Sequence, residues 1–135
     1  MANVYDTDRR LTFQEIREVN GRRGKMFGHD EWNPAEWGNA LAGETGELCN
    51  LLKKYIRQSP GDPLPEELIP DIKKEVADVF LYLDLLCDHL EISLADAVIN
   101  KFNEVSVRRG LPQHLCHYPG CPNRCQQPPC ALCYE

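Results

Sequence analysis

The chain has 135 residues, 42% apolar and 27% charged, which is enough for one ordinary globular domain with its own core and excludes disordered, collagenous and coiled-coil compositions. Fifteen Lys and Arg against 21 Asp and Glu leave a net charge of −6, the wrong sign for a general nucleic-acid binder. The most apolar run, 79–86, is broken by Asp84 and is too short for a bilayer, and the polar start with Asp6 and Asp8 does not read as a secretory leader, so a cytoplasmic location is expected.

In chain order, a first helix is predicted over 12–23, with Thr12 as N-cap and Glu15 as its capping-box partner. A polar loop over 24–33 contains Gly28, His29 and Asp30. Asn33-Pro34 then gives a cap residue followed by proline in the first turn, and the second helix should run to about Gln58. Ser59-Pro60-Gly61-Asp62-Pro63 cannot continue it and marks a loop. A third helix is expected over 66–90, with an interruption at Pro70. Ser93 caps a fourth, which stops at Gly110-Leu111-Pro112. There is no internal repeat, and the body, 1–112, is all-α. A Pro- and Cys-rich tail, 113–135, shows neither helical nor strand periodicity. Cys49 and Cys87 stand alone in helical patterns and are expected to be small buried hydrophobes.

The second helix carries an apolar stripe of Leu41, Leu48, Leu51, Leu52 and Tyr55. Glu44 sits inside it and Glu47 lies three residues on, along an adjoining face. The third helix repeats the arrangement: Ile72, Val76, Val79, Leu83, Leu86 and Leu90 form its stripe, with Glu75, Asp78 and Tyr82 along the flank. Solvated acidic faces with Lys53, Lys54, Lys73 and Lys74 as surface partners would explain either pair alone. Two pairs edging into apolar stripes, on helices that a short loop makes antiparallel, favour a divalent cation that relieves their repulsion. All-oxygen ligands suit Mg²⁺ or Mn²⁺ better than Zn²⁺. A di-iron carboxylate bundle would use Glu-x-x-His pairs, of which the sequence has none.

The run Trp37-Gly38-Asn39-Ala40-Leu41-Ala42-Gly43-Glu44-Thr45-Gly46-Glu47-Leu48, followed after a spacer by Glu75-Val76-Ala77-Asp78-Val79, resembles the MazG-like all-α nucleoside triphosphate pyrophosphohydrolases, whose signature is Glu-x-x-Glu, a variable spacer and Glu-x-x-Asp. Asn100-Lys101-Phe102-Asn103-Glu104-Val105-Ser106 with Arg108 looks like the closing helix of the same family. The resemblance covers about 11–112. It implies a bundle of four to five helices, and hydrolysis of a (deoxy)nucleoside triphosphate between the α and β phosphates to a monophosphate and pyrophosphate. Nucleotide-pool house-cleaning is a role that follows from the family analogy. Glu44, Glu47, Glu75 and Asp78 would hold Mg²⁺, and one of them would take the proton of the attacking water. By the same analogy Lys54, Lys101 and Arg108 would meet the triphosphate, with Asn103 as a hydrogen-bonding partner.

Stacking surfaces for a base are available in Phe27, Trp32, Trp37 and Tyr82, although core packing accounts equally well for Trp37. Residues 9–25 carry six basic and two acidic side chains, which is an ordinary solvated helix face as well as a surface able to steer an anion. The third helix is apolar nearly all round, so a homodimer or homotetramer is expected. In the tail, Cys130-x-x-Cys133 has the spacing of half a zinc knuckle, but Cys116, Cys121 and Cys125 make a poor second half. An irregular tail is therefore set against a structural Zn²⁺ site. The alternative to the enzyme is a non-catalytic dimeric regulatory or nucleic-acid-binding protein that uses this tail.

Overall fold

The computed structural model describes residues 11–58, Gly61 and 64–116. Among them are four α-helices, α1 (Phe13–Met26), α2 (Pro34–Gln58), α3 (Ile69–His89) and α4 (Leu94–Arg109), with short 3-10 turns at His29–Glu31 and Glu66–Leu68 and no strand. No helix is long and apolar enough to cross a membrane. The expected loop over 59–63 lies outside the described residues except for Gly61, and so does the tail beyond Cys116, including Cys121, Cys125, Cys130 and Cys133.

The helix starts follow from their caps. Thr12 Oγ1 accepts from the Glu15 amide at 3.1 Å. Asn33 Oδ1 accepts from the amides of Ala35 and Glu36, while Glu36 returns a carboxylate oxygen to the Asn33 amide at 2.8 Å, closing a reciprocal box. Ser93 caps α4 through the Asp96 amide, and Gly110 ends it with φ +64°. Pro70 lies in the first turn of α3, where a missing amide proton costs nothing, so it begins the helix and does not interrupt it.

The chain divides between Glu91 and Ile92 into two compact units. In the first, α3 packs on α2 along most of its length and on α1 over a shorter contact. Trp37, near the start of α2, meets Tyr82 toward the end of α3, whereas Glu44 meets Asp78 and Glu75, so α2 and α3 run antiparallel. Helix α1 continues to Met26, three residues past its expected end, because Gly24 is a contact residue and not a terminator. A Cβ at Gly24 would stand 3.1 Å from Leu85 Cδ2, and one at Gly21 would stand 3.1 Å from Asp88 Oδ2. Phe13 and Phe80 extend this contact, with ring centroids 5.9 Å apart.

A polar clasp fixes α1 to α3. Asp84, 2% exposed, accepts from Arg17 Nε at 2.9 Å on one oxygen and from Asn20 Nδ2 at 3.0 Å on the other. The Asn20 amide also donates to the Leu81 carbonyl and accepts from Arg23. Both oxygens of the buried carboxylate thus find donors, which is what permits a charge inside an otherwise apolar run.

Trp37, Leu85 and Cys87 are buried in this unit. Cys49, expected inside, is exposed, because it falls off the α2 seam. Leu52, Val76 and Leu90 likewise belong to the expected stripes but stand 40–51% exposed, at the margins of the α2–α3 contact. In the second unit Leu94 and Ser106 are buried.

Candidate functional site

Two antiparallel helices bring three carboxylates together. Each of Glu44 on α2 and Glu75 and Asp78 on α3 offers an oxygen within 4.8 Å of the others, and all three side chains are half-buried. The spacing explains the convergence: positions i and i+3 on α3 lie on one face, and Glu44 sits opposite them on the antiparallel α2. Glu47, the fourth expected member, is exposed and stands outside this set of three.

The electrostatics are those of an uncompensated acidic site. Burial, then the charges of Asp78, Glu47 and Glu75, push the Glu44 carboxyl above its ordinary range. Burial, followed by Glu47, Asp78 and Asp71, pushes Glu75 up in the same way. Glu75 Oε2 is buried with no hydrogen-bond partner among the described residues. The neighbouring lysine offsets this only in part: its charge pulls Glu75 down slightly, but Lys74 pairs with Asp71 at 3.0 Å, an exposed i,i+3 contact, and the Asp71 hydrogen bond raises its own pKa. Among the described residues none of the three carboxylates forms an ion pair. A set of hard oxygen donors with one buried oxygen lacking a proton donor fits a hard divalent cation.

One to two turns away, roughly 6–10 Å along the helix axes, α2 and α3 carry an aromatic cluster. Trp37 precedes Glu44 by seven residues and Tyr82 follows Asp78 by four, and their ring centroids are 6.4 Å apart. His29 joins them, 4.3 Å from Trp32 and 5.5 Å from Trp37, while Phe27 reaches His29 at 5.8 Å. The four aromatic residues named from sequence therefore share one cluster, and its hub, His29, was read only as part of a polar loop. Histidine so close to Trp32 and Trp37 in sequence was the available signal. Trp37 is 3% exposed, so packing occupies its ring, while Phe27 is open to solvent and Trp32 partly so.

The expected cationic partners are distributed differently. Lys54 is exposed on α2. In the second unit Lys101 pairs with Glu104, whose carboxyl it holds below the ordinary range, and Arg108 is exposed in the last turn of α4. The Asn103 amide is committed on both sides: Nδ2 donates to the Leu115 carbonyl at 2.9 Å and Oδ1 accepts from the Leu115 amide at 2.8 Å. Asn103 thus anchors the chain leaving α4. Sequence reasoning gave no hint of this, because side chain to backbone bonds across a turn have no periodicity.

No family model matches the chain. Two curated proteins are similar to it. The Gene 37 protein of Mycobacterium phage L5 is 30% identical over 69 residues, 51% of this chain and 60% of its own length. The dCTP pyrophosphatase 1 of Mus musculus is 28% identical over 112 residues, 82% of this chain and 65% of its own length. The chain thus spans less than two thirds of the curated relatives it matches.

Proposed function

We propose that the chain is a divalent-cation-dependent nucleoside triphosphate pyrophosphohydrolase, distantly related to the MazG-like enzymes, that cleaves a (deoxy)nucleoside triphosphate between the α and β phosphates. The observation that carries this reading is the set of Glu44, Glu75 and Asp78, three half-buried carboxylates within 4.8 Å that form no ion pair among the described residues. The similarity to a dCTP pyrophosphatase over 82% of the chain supports the same chemistry.

In this reading Glu44, Glu75 and Asp78 hold Mg²⁺, with Mn²⁺ as a substitute, and Glu47 borders the site from its exposed position. The bound cation would supply charge neutralisation on the phosphates and a more acidic water. The protein's own part is to fix the phosphates at the carboxylate end of the groove and the base at the aromatic end, and to accept the proton of the attacking water on a carboxylate. Tyr82 lies between these ends, Trp37 supports the cluster from inside, and Lys54, Lys101 and Arg108 are proposed to meet the triphosphate. The tail is proposed to be dispensable for turnover. Half-exposed apolar side chains on α2 and α3, such as Leu52 and Val76, support assembly into a homodimer or homotetramer.

Pyrophosphate release across a panel of ribo- and deoxynucleoside triphosphates, with Mg²⁺, Mn²⁺ and EDTA in parallel, tests the assignment. Turnover of one or a few nucleotides that EDTA abolishes, and that Glu75→Ala or Asp78→Ala removes while the helical signal persists, is the expected result. A folded protein silent across the panel would refute it and favour a regulatory role.

A further inference from the structure

The chain leaving α4 is turned back and then clamped. Gly110 takes a left-handed conformation, φ +64°, and the Leu111 amide donates to the Ser106 carbonyl at 2.8 Å. Asn103, within the last two turns of α4, then holds both backbone groups of Leu115: Nδ2 donates to its carbonyl at 2.9 Å and Oδ1 accepts from its amide at 2.8 Å. Fixing both groups of one residue also fixes the backbone on either side of it. The two flanking residues are His114 and Cys116, an imidazole and a thiol, both half-buried.

The His114 ring is committed on one side only. Nδ1 lies 3.1 Å from the Pro112 carbonyl oxygen. A carbonyl accepts and cannot donate, so Nδ1 carries the proton and the neutral ring keeps its lone pair on Nε2. Nε2 is buried and has no hydrogen-bond partner among the described residues. A backbone carbonyl on one ring nitrogen, with a bare lone pair on the other, is the setting of metal-bound histidines, because it fixes the tautomer and the direction of the ring.

The sequence supplies further ligands downstream. Cys130-x-x-Cys133 has the spacing of half a zinc knuckle, and 13 residues separate it from Cys116, a loop length ordinary between the halves of such a site. Both cysteines lie outside the described residues, and their part follows from spacing alone. A search for the other half among Cys116, Cys121 and Cys125 fails on spacing; pairing Cys116 with His114 removes the difficulty. Imidazole nitrogen and thiolate sulfur suit Zn²⁺, whereas carboxylate oxygens such as those of Glu44, Glu75 and Asp78 suit Mg²⁺.

We propose that His114 and Cys116, together with Cys130 and Cys133, form a structural Zn²⁺ site that ties the tail to the end of α4. Four protein ligands close the coordination sphere and leave no position for substrate. Zn²⁺ binds the neutral His114 ring and three thiolates, and the three thiol protons pass to solvent.

The full chain, grown with zinc and purified under reducing conditions without chelator, is tested by elemental analysis for bound metal and by competition with a chromogenic chelator for affinity. About one Zn²⁺ per chain is expected. His114→Gln and Cys130→Ser are each expected to weaken zinc binding by about tenfold or more, since even the outer partners of a ligand are worth that much. The double variant Cys121→Ser/Cys125→Ser is expected to bind like the wild type. The visible spectrum of the Co²⁺-loaded protein reads the coordination directly: tetrahedral in the wild type, altered in His114→Gln. Helical circular dichroism checks the fold of each variant, and if His114→Gln loses its helices the Cys130→Ser spectrum decides. Zinc below about half an atom per chain overturns the proposal. So does affinity unchanged in folded His114→Gln, a Co²⁺ spectrum unaltered in Cys130→Ser, or binding lost in Cys121→Ser/Cys125→Ser. None of these readouts uses turnover, so they stand whether or not the chain hydrolyses a nucleotide.

Discussion

If the three carboxylates form a cation site, removing one charge should stabilise the protein without cation and destabilise it with cation. Consider Glu44→Gln, which preserves shape and keeps the helix. At the 4.8 Å limit that the three oxygens share, the repulsion between Glu44 and Asp78 in a water-like dielectric is about 0.9 kcal/mol, falling to about 0.5 kcal/mol at physiological salt. Removing it should raise the Tm of the cation-free protein by about 2–3 °C for a chain of this size. With a divalent cation at a hundred times its Kd, the wild type gains about 2.7 kcal/mol, or roughly 8 °C, by linkage. The variant, with one of three charged ligands gone, should lose most of that gain. Differential scanning calorimetry at pH 7, with EDTA and with a Mg²⁺ series, reads both arms. The diagnostic feature is the crossing of the two stability orders, which does not depend on the dielectric assumed. A variant less stable than wild type in EDTA would mean that the carboxylates do not repel. A wild-type Tm unmoved by Mg²⁺ and by Mn²⁺ would mean that they bind nothing.

Three further outcomes follow from the same geometry. Because Glu44 and Glu75 have folded-state pKa values raised above their unfolded ones, their contribution to stability is fully present below the ordinary carboxylate range and is lost as pH rises through the raised values. Cation-free melts should therefore show this loss on the alkaline side of the usual glutamate range, and the Mg²⁺ response should vanish in acid, where the ligands are protonated; a Mg²⁺ response of equal size in acid would contradict it. Asp84→Ala should cost about 2–3 kcal/mol in urea titrations, below the 3–5 of a fully buried pair because Arg17 is a quarter exposed and keeps Asp88, while the Mg²⁺ shift is retained; a loss under 1 kcal/mol would deny the clasp its role. Gly38→Ala, with open space around its Cβ, should gain up to about 1 kcal/mol of helix propensity, whereas Gly24→Ala, facing Leu85 at 3.1 Å, should forfeit that gain; equal gains in the two melts would mean that α1 does not rest closely on α3.

What was legible in the sequence was whatever is local or periodic. The caps at Thr12, Asn33 and Ser93, the end of α2 at Gln58 and the stop at Gly110 all follow from short-range hydrogen bonding and glycine conformation. The convergence of Glu44, Glu75 and Asp78 was legible too, because helical spacing puts each on the seam between its stripe and its flank. Positions whose role depends on the partner helix were not. Gly24 reads as a terminator until Leu85 is seen against it, and Cys49 reads as interior until the seam is placed one position away. Glu47 and Glu44 look equivalent along the chain, yet the 100° turn per residue leaves Glu47 exposed. Asp84 announced itself only as an interruption of an apolar run; that Arg17 and Asn20 answer it is a fact of tertiary pairing.

Helix α3 carries acidic residues in two settings, and the contrast between them is informative. Asp84 is deeper than any other carboxylate of the core, yet both its oxygens are satisfied by α1. Six residues earlier along the same helix, Asp78 lies with Glu75 and Glu44 in a set that is shallower but repelled, with one oxygen buried and unpartnered among the described residues. The difference does not come from a shortage of cations. Lys74 adjoins Glu75 in sequence, yet its ammonium turns to Asp71. A fold that pairs its most buried acid completely and leaves three adjacent ones without an ion pair among the described residues is the arrangement that the proposed cation site requires.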